Sequence, residues 1–271
     1  MQETAVNVVA IQPSTEQRIQ MAYRHDPDLG FLGKMKSSDL NDLVRCLTHD
    51  KDGSARLTEE LTMADDYKKY APDHSKYWQL IAAEVQCFGG NTFATMFRGG
   101  KGVLYKEVLC DVCDKMDVNY NAKASVETIE GNLLMKILQD ALAKMTPEQL
   151  RELAKELGIK DFANITSPAL VMVFQTIFRA GGFKSYQLTL IVVNAVLKAL
   201  IGRGLSFGGN ILLTRTMAIL TGPVGWIISG VWTAVDIAGA AYRVTIPAVI
   251  QIAALRQQQM YGDMADQVKF G

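Results

Sequence analysis

Glutamate is absent from this 271-residue chain after Glu156, and between Phe162 and Gly262 a single acid, Asp236, stands against seven Lys or Arg. Histidine is rare at three and cysteine at four. His25 lies beside a loose arm and His49 and His74 flank turns, so no Ser/His/Asp grouping can be drawn. A structural zinc needs four ligands, and Cys110-Asp111-Val112-Cys113 finds no matching second pair in Cys46, Cys87 or the histidines. No metal, cofactor or catalytic residue is therefore expected. The opening Met1-Gln2-Glu3-Thr4 lacks the basic start of a secretory signal, and the apolar run Val6–Ile11 is too short to be its core. Export by that route is not expected, and the thiols are expected to be reduced. A formal net charge of zero excludes a polycation built for nucleic acid.

What the chain does have is asymmetry. Residues 1–161 hold 25 acids and 20 bases, so an acidic front is joined to an apolar, glycine-rich, faintly basic back. Such a contrast points towards a membrane surface or a large apolar partner. Length allows one large domain or two ordinary ones, with ample material for a core. The reading divides the chain into a flexible arm (1–24), a short helical module (25–70), a central helical domain (71–164), an apolar helical region (165–262) and a tail (263–271).

Periodicity favours helices throughout, and the fold class is all-α, a multi-helix bundle. Leu29, Phe31, Leu32, Leu40, Leu43, Val44 and Leu47 recur at roughly helical spacing, with a break near Lys36–Ser38 and Ser37 or Ser38 as N-cap. Asp50-Lys51-Asp52-Gly53 is a turn; the later ligands of a calcium loop are misplaced. Helices are expected over about Ser75–Cys87, Val103–Met116 and Val126–Leu142, the last with a stripe of Val126, Ile129, Leu133, Ile137 and Ala141. Thr146-Pro147-Glu148-Gln149 opens the next helix as a capping box with proline in the first turn. Asp65-Asp66 and Glu59-Glu60 read as a solvated helix face.

Four apolar segments follow a linker at Asn164–Pro168: Ala169–Phe178, Ser185–Leu197, Thr216–Val235 and Val244–Leu255. Leu188–Val193 is β-branched, yet its Ala-rich neighbours favour helix. Thr216–Val235 is twenty residues without a charge, enough helix to rise about 30 Å, the thickness of a hydrocarbon core. Thr221-Gly222-Pro223-Val224-Gly225 interrupts it, so a hairpin of two short helices is expected. Three readings stay open: a large core shielded by the acidic front, a hairpin that docks at or inserts into a membrane, and a constitutive membrane protein. The apolar residues singled out for contact are Leu188, Ile191, Val192, Met217, Ile219, Leu220, Pro223, Trp226, Ile227, Ile228 and Trp232. The polar ones are Arg98, Lys101, Lys198, Arg203, Arg215, Asp236 and Arg243. Arg98-Gly99-Gly100-Lys101-Gly102 could offer N–H groups and cations to a head group or partner, though it lacks P-loop order. Asp236 is expected to pair with Arg243 or Arg215. Cys110 and Cys113 fall mid-helix and read as two core cysteines on one face, not as a thioredoxin-type site.

Three stretches together resemble the YaaW family of bacterial proteins. They are Asp26-Pro27-Asp28-Leu29-Gly30-Phe31-Leu32 with Asp39-Leu40 and Leu47-Thr48; Tyr77-Trp78-Gln79-Leu80-Ile81-Ala82-Ala83-Glu84 through Phe88-Gly89-Gly90 and Arg98-Gly99 to Leu104-Tyr105; and Gly222-Pro223-Val224-Gly225 with Ala241-Tyr242-Arg243-Val244-Thr245-Ile246-Pro247-Ala248-Val249. The middle of that family resembles the ubiquinol–cytochrome c chaperone group, whose members bind an apolar membrane subunit during assembly. The resemblance implies a helical holder of hydrophobic protein and assigns no binding residue.

The expectation is therefore a non-enzymatic, all-α cytoplasmic protein, peripheral to the inner membrane where it meets lipid. It engages membrane lipid or a hydrophobic protein segment through its C-terminal region, and oligomerisation is left open. A membrane-permeabilising protein that inserts the 216–235 hairpin, and a plain stress-response or interaction module, are the alternatives.

Overall fold

The computed structural model describes residues 23–50, 52–56, 60–89, 102–156, 166–202, 204–205 and 242–267. These form nine α-helices and no strand among the described residues: α1 (Ser37–Thr48), α2 (Asp65–Tyr70), α3 (Trp78–Gly89), α4 (Tyr105–Lys115), α5 (Val126–Leu142), α6 (Pro147–Glu156), α7 (Ser167–Ala180), α8 (Gly182–Ile201) and α9 (Tyr242–Gln267). Short 3-10 turns at Gly30–Lys34, Leu61–Met63 and His74–Tyr77 join the first of them. The chain is all-α, and the β-branched run Leu188–Val193 is helical within α8.

Local signals set several boundaries. Ser125 caps α5 by accepting from the Thr128 N–H. At α6 the Thr146 N–H donates to Gln149 Oε1 at 2.8 Å and the Gln149 N–H returns to Thr146 Oγ1 at 3.3 Å, which closes the capping box. The start of α1 differs from expectation. Its N-cap is Lys36, whose side chain makes no cap, and neither Ser37 nor Ser38 takes that place. The Ser37 hydroxyl instead donates to Asp73 and approaches Ser75 at 2.9 Å, so a tertiary partner has taken over from the local cap.

The organising element is α9. Residues 244–256 are buried without a break. A helix with no polar face is stable only when covered on all sides, and α9 is packed most extensively by α8 and also by α1, α3, α4 and α5. One hydrophobic core runs through these elements from Leu29 to Leu255. The turn between α7 and α8 is made by Gly181 and Gly182, with φ of 66° and 73°, a region that side chains with a Cβ avoid.

Gly102 leads into α4, and the Val103 N–H donates to the Gln86 carbonyl at 3.2 Å. A Cβ at Gly102 would fall 2.5 Å from Gln86 Cβ and 2.9 Å from its carbonyl carbon. Gly102→Ala is expected to lower stability by about 1–3 kcal/mol, seen as a lower urea midpoint with an unchanged m-value.

Candidate functional site

Two regions concentrate unusual chemistry: a buried polar clamp on α9, and the apolar helices α7 and α8 packed beside it. The clamp is built by four parts of the chain. Arg256 on α9 is 7% exposed and Glu130 on α5 is 3% exposed. Arg256 Nε donates to both Glu130 oxygens, at 3.2 and 3.0 Å. Arg256 Nη2 donates to the Asp28 carbonyl at 2.8 Å. Its guanidinium lies over the Phe31 ring, 4.6 Å from the centroid. The Tyr105 hydroxyl on α4 donates to Glu130 Oε1 at 2.7 Å. Burial pushes the Glu130 carboxyl up, opposed by the Arg256 charge and the Tyr105 hydrogen bond. Burial works against the Arg256 charge, but Glu130 beside it outweighs that and raises its pKa. One Arg256 N–H shared between both Glu130 oxygens, with the Tyr105 hydroxyl as a further donor, gives the buried pair the hydrogen bonds it needs to stay ionised.

A second layer fastens the N-terminal segment to the same place. Asp26 is 1% exposed. Its Oδ2 accepts from the Tyr105 N–H at 2.6 Å and from Gln86 Nε2 at 3.3 Å, and its Oδ1 accepts from the Asp28 N–H at 2.9 Å. Tyr105 is the first residue of α4, and the preceding Leu104 has no side-chain acceptor. Asp26 therefore supplies that helix start with a negative group from 79 residues away. Gln86 holds the Arg24 backbone by both of its amide atoms, at 2.9 and 2.8 Å.

Ser37, Asp73 and Ser75 form a polar knot beside His74. The Ser37 and Lys76 hydrogen bonds, with Ser75, hold the Asp73 carboxyl down at about 2. The His74 ring, however, contacts the Tyr77 hydroxyl, and burial lowers its pKa. The serine hydroxyls are bonded to Asp73 and to each other while the imidazole Nδ1 meets Tyr77, which is not the arrangement of a nucleophile–base relay. Burial raises the Cys87 and Cys113 thiols to about 12, which keeps them protonated and unreactive. Cys110 and Cys113 are free thiols within α4, Cys113 buried and Cys110 half-buried. Among the described residues no three His, Cys, Asp or Glu stand together as a metal site.

Of the residues singled out from sequence, Leu188, Ile191 and Val192 lie on α8 at 1%, 2% and 0% exposure, inside the core. Lys198 and Arg243 are exposed at the ends of α8 and α9. Met217, Ile219, Leu220, Pro223, Trp226, Ile227, Ile228, Trp232, Arg98, Lys101, Arg203, Arg215 and Asp236 lie outside the described residues, as does the 216–235 hairpin. The described helices α7 and α8 have similar apolar composition and different surroundings. By length and composition α8 could cross a membrane, yet most of it is buried. In α7, residues 167–178 carry no charge, but only Leu170 and Phe174 are buried; Met172 is 69% exposed and Val171, Val173, Ile177 and Phe178 are partly open.

Comparison with known proteins accounts for nearly the whole chain. A Helicobacter pylori UPF0174 protein is 55% identical over 236 residues, 87% of this chain and 93% of the relative. The Escherichia coli K12 UPF0174 protein YaaW is 34% identical over 241 residues, 87% of this chain and 95% of the relative. The chain belongs to the UPF0174 family. Within the family frame, residues 23–57 match a domain of unknown function, DUF3944, and residues 73–250 match the ubiquinol–cytochrome C chaperone domain. No solved structure matches.

Sequence reasoning passed over the clamp. Two signals pointed to it: Arg256 is the one charge in residues 244–262 of the apolar back, and Glu130 lies four residues after Val126 and three before Leu133 on the apolar side of α5. Glu130→Leu or Arg256→Met alone is expected to cost about 3–5 kcal/mol by stranding the other charge, whereas the double variant recovers most of the loss; a double-mutant cycle in urea checks it. Ser37→Ala is expected to raise the Asp73 pKa towards its ordinary value, read by carboxyl NMR titration. Because the folded value is depressed, Asp73 favours folding above its unfolded pKa and loses that contribution as pH falls through about 2.

Proposed function

We propose that this protein is a non-catalytic holder of apolar protein segments, acting in a chaperone-like way through its C-terminal region. The observation that carries the reading is α7: a helix without charge over 167–178 that buries only two side chains in its own core. A soluble bundle ordinarily turns such residues inward, and a strip of partly open Val, Ile, Phe and Met suits docking of another apolar helix. The chaperone domain match over residues 73–250 includes all of α7 and supports the same reading. Each large side chain that a partner buries contributes about 1.5–3 kcal/mol, so three or four give firm association. Lys198 and Arg243, exposed at helix ends, would add a modest, salt-sensitive attraction to anionic groups on the partner.

Met172→Glu tests the proposal, since the residue is mostly exposed and its replacement leaves the core untouched. Binding of a fluorescent, soluble amphipathic-helix peptide, followed by anisotropy, is expected to weaken at least about tenfold with no change in melting temperature. Equal binding by the variant would refute the role of α7. Co-sedimentation with anionic liposomes at low and high salt covers the membrane alternative. Liposome binding that survives salt, without peptide binding, would replace the partner segment with lipid.

A further inference from the structure

The hub helix α9 has two unlike sides. Where it meets α4 and α5, its buried charge is engaged: Arg256 donates to Glu130 and to the Asp28 carbonyl, and Tyr105 donates to Glu130. Five residues back, on a part of the helix turned well away from Arg256, Gln251 is 0% exposed, and neither its amide nitrogen nor its oxygen has a partner. On α8, which is the most extensive neighbour of α9, the hydroxyls of Ser185 and Thr189 are likewise buried and unpaired. The two sit one turn apart on one helix face. Buried polar atoms without partners cost free energy that the open state, where water or a partner reaches them, does not bear.

Glycines bound α8 at both ends. Gly181, with φ of 66° and ψ of −151°, and Gly182, with φ of 73°, join it to α7, and Gly202, in the left-handed region, closes it. These conformations are open to glycine and strained for other residues, and at Gly182 nothing lies within 4 Å of where a Cβ would stand. From this combination we propose that α8 is a releasable cover on α9: it parts from the hub about the Gly181–Gly182 turn and uncovers apolar surface for the partner segment. The inference rests on the holding function and adds its regulation. Closed, the protein presents the narrow strip of α7. Open, it presents the inner face of α8, including Leu188, Ile191 and Val192, together with the face of α9 beneath. Gly181 also fixes where the hinge abuts the hub, since a Cβ there would come within 2.8 Å of the Tyr261 hydroxyl on α9.

Hydrogen exchange read by mass spectrometry on the full chain tests the release. The amides of α8 are expected to exchange through a local opening, at least about tenfold faster than those of α5 and the buried stretch of α9. Gln251→Leu and Thr189→Val remove unpaired polar atoms with little change of volume. Both are expected to raise the melting temperature, slow α8 exchange and weaken apolar-peptide binding about tenfold. Exchange of α8 only with global unfolding would overturn the proposal, and so would a fall in melting temperature for both variants, which would mean that their polar atoms serve the closed state. Slower exchange with unchanged peptide binding would overturn α8 as the gate and leave the holding function standing. Failure of the wild-type protein to bind any apolar peptide would sink the holding function itself, and the gate with it.

Discussion

A guanidinium more than nine-tenths buried must be paired or it will not stay buried, and that requirement fixes where α9 sits. Residues 244–255 are uncharged and, apart from Thr245 and Gln251, carry no polar side chain, so hydrophobic burial alone would let this helix slide or rotate among its neighbours with little penalty. Arg256 removes that freedom. Its Nε–H is shared between the two oxygens of Glu130, Nη2 donates to the Asp28 carbonyl and Nη1 approaches Glu127 at 3.8 Å. A slip of one residue would swing the guanidinium about 100° around the helix and strand two charges. The ion pair is therefore better understood as a register device than as a source of net stability.

The N-terminal segment is held by the same logic. Asp26 meets the first N–H of α4, Gln86 grips the Arg24 backbone, the Asp28 carbonyl takes Arg256, and Leu29 and Leu32 are fully buried alongside. Asp26-Pro27-Asp28-Leu29-Gly30-Phe31-Leu32 and Leu104-Tyr105, two of the stretches that carry the family likeness, thus meet at one buried point. Their chemistry is that of a strap, not of an open site. This also explains how a segment with little regular structure, a 3-10 turn and a few bends, is ordered at the edge of a helical bundle: the Arg24 backbone, the Asp26 carboxylate and the Asp28 carbonyl each end on a buried partner.

Much of this was legible beforehand where the physics is local. The α5 boundaries follow from Ser125 and the Val126–Leu142 period, and those of α6 from the capping box at Thr146 and Gln149. The all-α class follows from periods of three and four repeated along the chain. What could not be read was set by distant partners. Ser37 gave up its capping place for Asp73 and Ser75, which are 36 and 38 residues away, and Asp26 caps a helix it does not adjoin. Glu130 and Arg256, separated by 126 residues, look in sequence like two minor blemishes on apolar faces. Composition also treats α7 and α8 as equals, since it records how apolar a segment is and not what covers it.

That last distinction bears on function more than the composition of the whole C-terminal region does. An apolar helix sealed in a core offers a partner nothing until it moves, whereas a similar helix left partly open offers surface at once. Met172 and its neighbours on α7 are of the second kind, and Leu188, Ile191 and Val192 on α8 are of the first. The two helices are joined by paired glycines, and the second carries buried hydroxyls without a hydrogen-bond partner. A holder of hydrophobic segments faces a conflict between solubility when empty and apolar area when loaded. A small standing patch for first contact and a larger covered surface behind a hinge would meet both demands within one chain.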